Sequence, residues 1–222
     1  MFDVALYGHL THDRILNKFK QSATVGSIGN VWKTLKSINP KLRIDLQPTE
    51  IGEALIYINE DISERTSVAN LSLYTNYSPN INKTKFSHII YLNELTNTSF
   101  ITDLNSTYIS ADMCAGKQLK DLSVLKNLDF LFISDEDMYY DIEELRLLVK
   151  KSVIVHCPSG SICYNKEDTI TSTVDIIENI NVLGAGDMFA ASFINSFLNT
   201  SDINKSVTVA HNTVSKLLNN EN

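Results

Sequence analysis

A short glycine-rich segment ahead of an apolar run carries the residues best suited to chemistry. Gly184 and Gly186 flank Ala185, and Asp187 opens the apolar stretch 188–193. Glycines let main-chain N–H groups approach a ligand closely, and the start of a helix is electropositive. Asp187 could therefore accept a proton from a hydroxyl while the three preceding amides hold a phosphoryl group. The same residues also fit ordinary helix capping, in which Asp only stabilises a first turn.

The segment resembles the D-T-x-G-A-G-D signature of the ribokinase-like (PfkB) carbohydrate kinases. In that family the last Asp is the catalytic base and the preceding amides form the anion hole, and the resemblance assigns these roles here. Further pieces follow in family order over nearly the whole chain: a first strand with Gly8 and Asp13, the substrate element 26–31, the lid strand and E-R-T turn at 54–66, the strand ending at Asp112, the strand ending in acids at 131–137, and the strand and turn at 153–160.

The resemblance implies ATP-dependent phosphorylation of a small sugar or nucleoside, with Mg²⁺ bridging the phosphates largely through water. It also assigns the binding residues by their position in these motifs. They are Asp13, Gly26 and Asn30 for the acceptor hydroxyls, Ser159, Gly160 and Asn212 for the nucleotide, and Asp137 and Glu136 for the magnesium ion.

Several residues depart from the family pattern, and the chain is short for the family. Asn181 and Val182 replace the D-T pair, Val25 replaces the first glycine of a pair, and Cys157–Pro158 replaces a turn glycine. These changes leave open a weakened relative that binds sugar or nucleotide without turnover. A kinase of a vitamer alcohol is also possible, although Asp13 favours a polyol.

Composition indicates a globular cytoplasmic protein. The 222 residues are 43% hydrophobic, enough for one core and one domain over residues 1–222. The net charge of −7 argues against nucleic-acid or anionic-membrane partners. No apolar run is long enough to cross a membrane, and three cysteines suggest a reducing compartment. His156, Cys157 and Cys163 are too few for a structural zinc site.

Alternating apolar runs and amphipathic stretches must position the site. They predict an α/β fold, a doubly wound and mostly parallel sheet with helices on both faces and ligands beyond the carboxyl ends of its strands. Within that fold we expect a reduced β lid from about residues 14–25 and 51–75. An apolar lid face containing Leu55, Tyr57 and Leu71 favours a homodimer. The expected strands are 2–6, 51–58, 87–92, 108–111, 130–134 and 153–156, and the expected helices are 30–37, 142–150, 187–198 and 206–218.

Overall fold

The computed structural model describes residues 1–18, 20–62, 64–70, 77–113, 117–137, 140–178 and 180–220. The described strands are β1 Phe2–Asn17, β2 Lys20–Ser27, β3 Ile44–Asn59, β4 Glu64–Asn70, β5 Thr84–Ile90, β6 Ser106–Asp112, β7 Phe130–Ser134, β8 Ser152–Cys157, β9 Gly160–Asn165 and β10 Thr169–Thr173. The described α-helices are α1 Ile28–Ile38, α2 Ile142–Leu148, α3 Ala185–Thr200 and α4 Ile203–Asn220.

The strands form one mixed sheet with a parallel centre. Its order is β10-β9-β8-β7-β6-β5-β1-β3-β4, and β2 pairs with β1 beside this path. The six strands from β8 to β3 are mutually parallel, whereas β9, β10, β4 and β2 each pair antiparallel with a neighbour. The predicted α/β fold with a mostly parallel sheet is therefore confirmed.

Two apolar layers cover the faces of this sheet. On one face α1, α3 and α4 pack over a core that includes Phe86, Phe130 and Phe193. On the other face α2 and several 3-10 turns cover a second core around Leu131 and Val153. A strand covered on both faces is expected to be apolar at every position, as the buried run of β7 is.

Helix α3 is fixed to the sheet by phenylalanines four residues apart. The ring of Phe193 lies 5.2 Å from Phe130 and 5.3 Å from Phe132, and Phe197 lies 4.8 Å from Phe130. Aromatic pairs at these distances add to the stabilisation from apolar burial. This packing holds the first turn of α3 in place above the carboxyl ends of the strands.

The long strands β1 and β3 continue beyond the centre of the sheet into the region where the sequence predicts a lid, here called the lid. The register between them shifts after Gly8, and their distal halves then pair with β2 and β4. Alternating side chains of β3, Ala54, Ile56 and Ile58, are buried and pack with Leu183. The lid thus lies against the loop that leads into α3. Residues 71–76, including Leu71 of the predicted dimer face, fall outside the described residues.

The structure also contains elements that differ from the sequence patterns. The hairpin β9–β10, at the far edge of the sheet, is not predicted by them. The stretch 118–128, whose pattern predicts a helix start followed by a loop, contains a capped 3-10 turn, Leu122–Asn127. Helix α4 begins at Ile203, before the expected residue 206, because Asp202 Oδ1 accepts from Lys205 N–H at 3.0 Å. No helix in the described ranges has the length and apolar character needed to cross a bilayer.

Candidate active site

Asp187 lies in the first turn of α3 with only 6% of its surface exposed. The N-cap residue, Gly184, has φ 77° and ψ 9°, a left-handed conformation that glycine adopts without strain. The glycine thus brings the chain into the helix directly beside the carboxylate. A carboxylate at this position is stabilised by the helix dipole, yet its burial removes it from water.

The turn before α3 already uses one of the predicted anion-hole amides. Ala185 N–H donates to the carbonyl oxygen of Val182 at 3.1 Å, and Asn181 Oδ1 accepts from Leu183 N–H at 2.9 Å. The first helical bond runs from Met188 N–H to the Gly184 carbonyl oxygen. The amides of Gly186 and Asp187 therefore belong to the first turn, where N–H groups have no intrahelical acceptor. These two N–H groups are therefore better placed to bind an anion than the Ala185 amide, which already has an acceptor.

Asn30 connects α1 to the carboxylate of Asp187. Its Nδ2–H donates to Asp187 Oδ2 at 2.8 Å, although the two residues are 157 positions apart in the sequence. The same amide nitrogen lies 3.3 Å from where a Cβ of Gly184 would stand. A side chain at position 184 would therefore crowd the bond between Asn30 and Asp187.

Asp13 and Gly26 meet across the hairpin formed by β1 and β2. Asp13 is 4% exposed, and its Oδ1 atom has no hydrogen-bond partner within the described part of the chain. A Cβ on Gly26 would overlap the Asp13 carboxylate and the Thr11 hydroxyl. Glycine at position 26 therefore makes room for the carboxylate. A buried oxygen without a partner is costly unless a ligand supplies a donor.

The two carboxylates and one lid arginine share an electrostatic environment. Burial raises the pKa of Asp187 to about 6; the Asn30 bond and the Arg65 guanidinium lower it, and the Asp13 carboxylate raises it. Burial also raises the pKa of Asp13, against the lowering effects of Thr11 and of nearby cations that include Arg65. Arg65 pairs with Ile58, so it lies on the lid face that looks toward the site.

A row of rings borders the other end of the turn at residues 184–186, here called the anion turn after its predicted role. The position of a Gly186 Cβ would be 3.3 Å from His156 Cε1, and the His156 ring lies 5.3 Å from that of Phe189. Phe189 in turn contacts His211 at 4.9 Å, and His211 Nε2 lies 3.0 Å from Ser161 Oγ. The hairpin β8–β9 is thus joined to the start of α3 and to α4.

The predicted nucleotide residues lie on this side of the turn. Ser159 is exposed in the β8–β9 turn, and Asn212 is exposed on α4 beside His211. Gly160 has φ 146°, and a Cβ there would overlap the carbonyl oxygen of Ser172. The fold therefore requires glycine at position 160 whether or not a nucleotide binds nearby.

The predicted metal residues follow the carboxyl end of β7. Glu136 and Asp137 lie in the 3-10 turn Asp135–Asp137, and Glu136 is exposed. The side chain of Asp137 is outside the described residues. No group of three or more His, Cys, Asp or Glu side chains suited to a metal ion occurs among the residues described. One or two carboxylates still fit Mg²⁺, which keeps most of its waters and binds phosphates.

Sequence reasoning did not assign site roles to Arg65 and His156. Arg65 was visible within the E-R-T turn, but only the pairing of β3 with β4 places it toward the carboxylates. In the sequence His156 stands out only as part of an incomplete set of zinc ligands. The signal that could have found it is its place at the carboxyl end of a buried parallel strand, where α/β proteins bind ligands.

Comparison with known proteins identifies the family of the chain and its fold. The model of the pfkB family of carbohydrate kinases matches residues 38–220, which confirms the resemblance expected from the sequence. No curated protein sequence matches the chain.

Solved structures share the fold at low sequence identity, and such identity establishes the fold alone. The ribokinase of Thermotoga maritima aligns with a TM-score of 0.75 and 13% identity, over 98% of this chain and 93% of that chain. The adenosine kinase of Sinorhizobium meliloti aligns with a TM-score of 0.76 and 12% identity, over 98% of this chain and 94% of that chain. The nucleoside kinase of Methanocaldococcus jannaschii aligns with a TM-score of 0.70 and 18% identity, over 99% of this chain and 92% of that chain.

The overlap between Gly26 and Asp13 predicts a coupled pair. Gly26→Ala should lower the free energy of unfolding by about 1–3 kcal/mol, because the added methyl displaces a buried carboxylate. In an Asp13→Ala background the same change should cost about 1 kcal/mol less, since the carboxylate is gone. Denaturant unfolding of the four proteins measures both values. Ala23→Val, on the exposed face of β2, is the control; equal costs in the two backgrounds would refute the overlap.

Proposed function

The chain belongs to the pfkB family of carbohydrate kinases, and on that basis we propose that it transfers the γ-phosphoryl group of ATP to a hydroxyl of a small sugar or nucleoside. One observation carries the proposal most strongly. A buried carboxylate with a raised pKa, Asp187, lies at a helix start and shares its surroundings with a second buried carboxylate, Asp13. Perturbed carboxylates that meet at the carboxyl ends of parallel strands are typical of active sites.

On the acceptor side, Asp13 would bind hydroxyl groups and Asp187 would remove a proton. The unpartnered Oδ1 atom of Asp13 can accept a hydrogen bond from a polyol. Asp187 would accept the proton of the attacking hydroxyl, an effect worth roughly 10²–10⁴ in rate. Its pKa of about 6 leaves it ionised at neutral pH and close to the optimum for a general base. Asn30 would hold the carboxylate in position through its bond to Oδ2.

On the donor side, the first-turn amides of α3 would hold the transferred phosphoryl group. Each such donor is worth about 3 kcal/mol of transition-state stabilisation. Mg²⁺, when bound, neutralises charge on the phosphates, and Glu136 with Asp137 would hold it through water. Ser159, Gly160 and Asn212 would lie along the nucleotide, since the ring row joins their elements to the anion turn.

A panel assay tests the proposal. ATP consumption is measured with pentoses, hexoses, phosphohexoses and nucleosides, and with vitamer alcohols as a separate group. Turnover with a sugar or nucleoside supports the proposal, and turnover only with a vitamer alcohol changes the acceptor class. Nucleotide binding without turnover on any alcohol would favour the weakened, binding-only relative.

Asp187→Asn separates catalysis from binding. Turnover should fall at least a hundredfold with little change in nucleotide affinity, because the amide keeps the shape but accepts no proton. Steady-state kinetics and calorimetry give the two quantities. The control is Asp103→Asn, an exposed acid near the amino end of β6. A fall of only a few-fold would remove Asp187 from the role of base.

The Asn30 bond predicts a shift in the pH profile. The wild-type kcat/KM should decline as the pH falls through about 6, because protonation disables the base. Asn30 stabilises the charged carboxylate, so Asn30→Leu should raise the pKa of Asp187 and move this decline to higher pH. Asn39→Leu, at the far end of α1, should leave the profile unchanged. Identical profiles for Asn30→Leu and wild type would contradict the assignment.

We further propose that the outer lid face forms a homodimer. Leu55 and Val68 are neighbours across β3 and β4, and they are 49% and 73% exposed. Tyr57, on the same face of β3, is also exposed. Apolar side chains that adjoin on an exposed sheet face are a common feature of protein interfaces.

Light scattering at micromolar concentration tests the dimer. The wild type should have a mass near twice 24.9 kDa, and the double variant Leu55→Lys/Val68→Lys should be monomeric, because two buried charges would oppose association. Leu147→Lys, on the exposed side of α2, should remain dimeric. A wild-type species of 24.9 kDa alone would rule out the lid interface.

A further inference from the structure

We propose that the hydroxyl of Tyr77 fixes the bend at Gly8, where β1 passes from the central sheet into the lid, and thereby positions Asp13 for the acceptor. The effect on the acceptor rests on the proposed function, whereas the mechanical role of the hydroxyl does not. Tyr77 is a positioning residue, because it acts through the strand that carries Asp13.

The bend lies at Gly8 because β1 changes its partners there. Gly8 pairs with Ile90 as the last residue that β1 shares with β5, and from Leu10 onward β1 pairs with β2 instead. Between Gly8 and Leu10 β1 advances by two residues. Over the same interval β3 advances by three, from Pro48 to Ile51. An extra residue in one strand bends a ladder and increases its twist, so both long strands turn into the lid at this point.

One side-chain hydroxyl bridges the two strands at the bend. The N–H group of Gly8 donates to the Tyr77 hydroxyl oxygen at 3.3 Å, and the hydroxyl donates in turn to the carbonyl oxygen of Gln47. Gln47 precedes Pro48, which pairs with Gly8 and has no N–H group to offer the ladder. The hydroxyl thus joins a donor of β1 to an acceptor of β3 and satisfies both.

The side chain of Tyr77 is itself held in place. It is buried, and its ring packs edge-on against Phe100 with 5.3 Å between the centroids. The segment that follows is tied to β3, because Asn80 N–H donates to Gln47 Oε1 at 3.1 Å. Burial raises the pKa of the Tyr77 hydroxyl, so the group keeps the proton that it donates. A bridge whose own ring is packed in this way can hold the two strands at one angle.

The angle at Gly8 determines how the two carboxylates of the candidate site face each other. Asp13 lies beyond the bend on β1, whereas Asp187 begins α3, which packs on the central sheet. A small rotation at Gly8 is enlarged at Asp13, because an extended strand covers about 17 Å over the five residues between them. Loss of the bridge should therefore displace Asp13 more than it displaces any group of the body.

Tyr77→Phe removes the bridge and keeps the ring. The matched control is Tyr7→Phe, because the Tyr7 ring also lies against Phe100, at 5.6 Å, and its hydroxyl bonds neither to Gly8 nor to Gln47. Hydrogen–deuterium exchange is followed by mass spectrometry in a lid peptide, residues 10–17, and in β5. We expect exchange in the lid peptide to be at least about tenfold faster in Tyr77→Phe, with β5 unchanged, because the lid opens more easily. Tyr7→Phe should match the wild type in the lid peptide.

Kinetics test whether the bend positions the acceptor. In Tyr77→Phe the kcat/KM for the acceptor should fall at least about tenfold, since a displaced Asp13 holds the hydroxyl groups poorly. The affinity for ATP, measured by calorimetry, should remain within about twofold of the wild type. Both are measured well below the Tm of each protein, so that a general loss of stability would not separate them.

Each outcome decides the inference. Wild-type exchange in the lid peptide of Tyr77→Phe would overturn it. Equal acceleration in the lid peptide and in β5, or the same acceleration in Tyr7→Phe, would show a packing role and would also overturn it. Faster lid exchange with unchanged kcat/KM would refute the positioning of Asp13. If the wild type turns over no alcohol, the proposed function fails, and the exchange comparison still decides whether Tyr77 fixes the bend.

Discussion

The burial of one ionisable carboxylate constrains the whole site. Asp187 is removed from water, and the cost of desolvating its charge appears as a pKa near 6. The helix dipole, the bond from Asn30 and the guanidinium of Arg65 offset part of that cost. These groups come from three separate parts of the chain. A fold that failed to bring them together would leave the carboxylate unstable or protonated.

Glycines, rather than additional polar residues, shape the space around this carboxylate. Gly184 turns the chain into α3, and Gly26 leaves room for Asp13. Gly186 allows His156 to approach the same turn. The residues of the candidate site therefore form a continuous row that runs from the hairpin β1–β2, past Asp187, to the hairpin β8–β9. In the proposed reaction the acceptor would occupy the first part of this row and the donor phosphates the second.

The lid and the body are built from the same strands, and this explains their close coupling. β1 and β3 begin in the central sheet, change register after Gly8 and end in the lid. The inner face of the lid packs on Leu183, next to Gly184. A displacement of the lid would therefore reach the anion turn through direct contact, because packed side chains transmit strain.

The sequence by itself determined the elements with strong local signals. The run 130–133 is continuously apolar and forms all of β7 except Ser134, and the expected helix at 187–198 lies within α3. The exposed edge strand β10 was missed, because its polar alternation resembles a loop. Only the tertiary structure decided that Asn30 would bond to Asp187 and that His156 would face Gly186. Local patterns report which face of an element is apolar, whereas contacts between residues far apart in the chain depend on how whole layers pack.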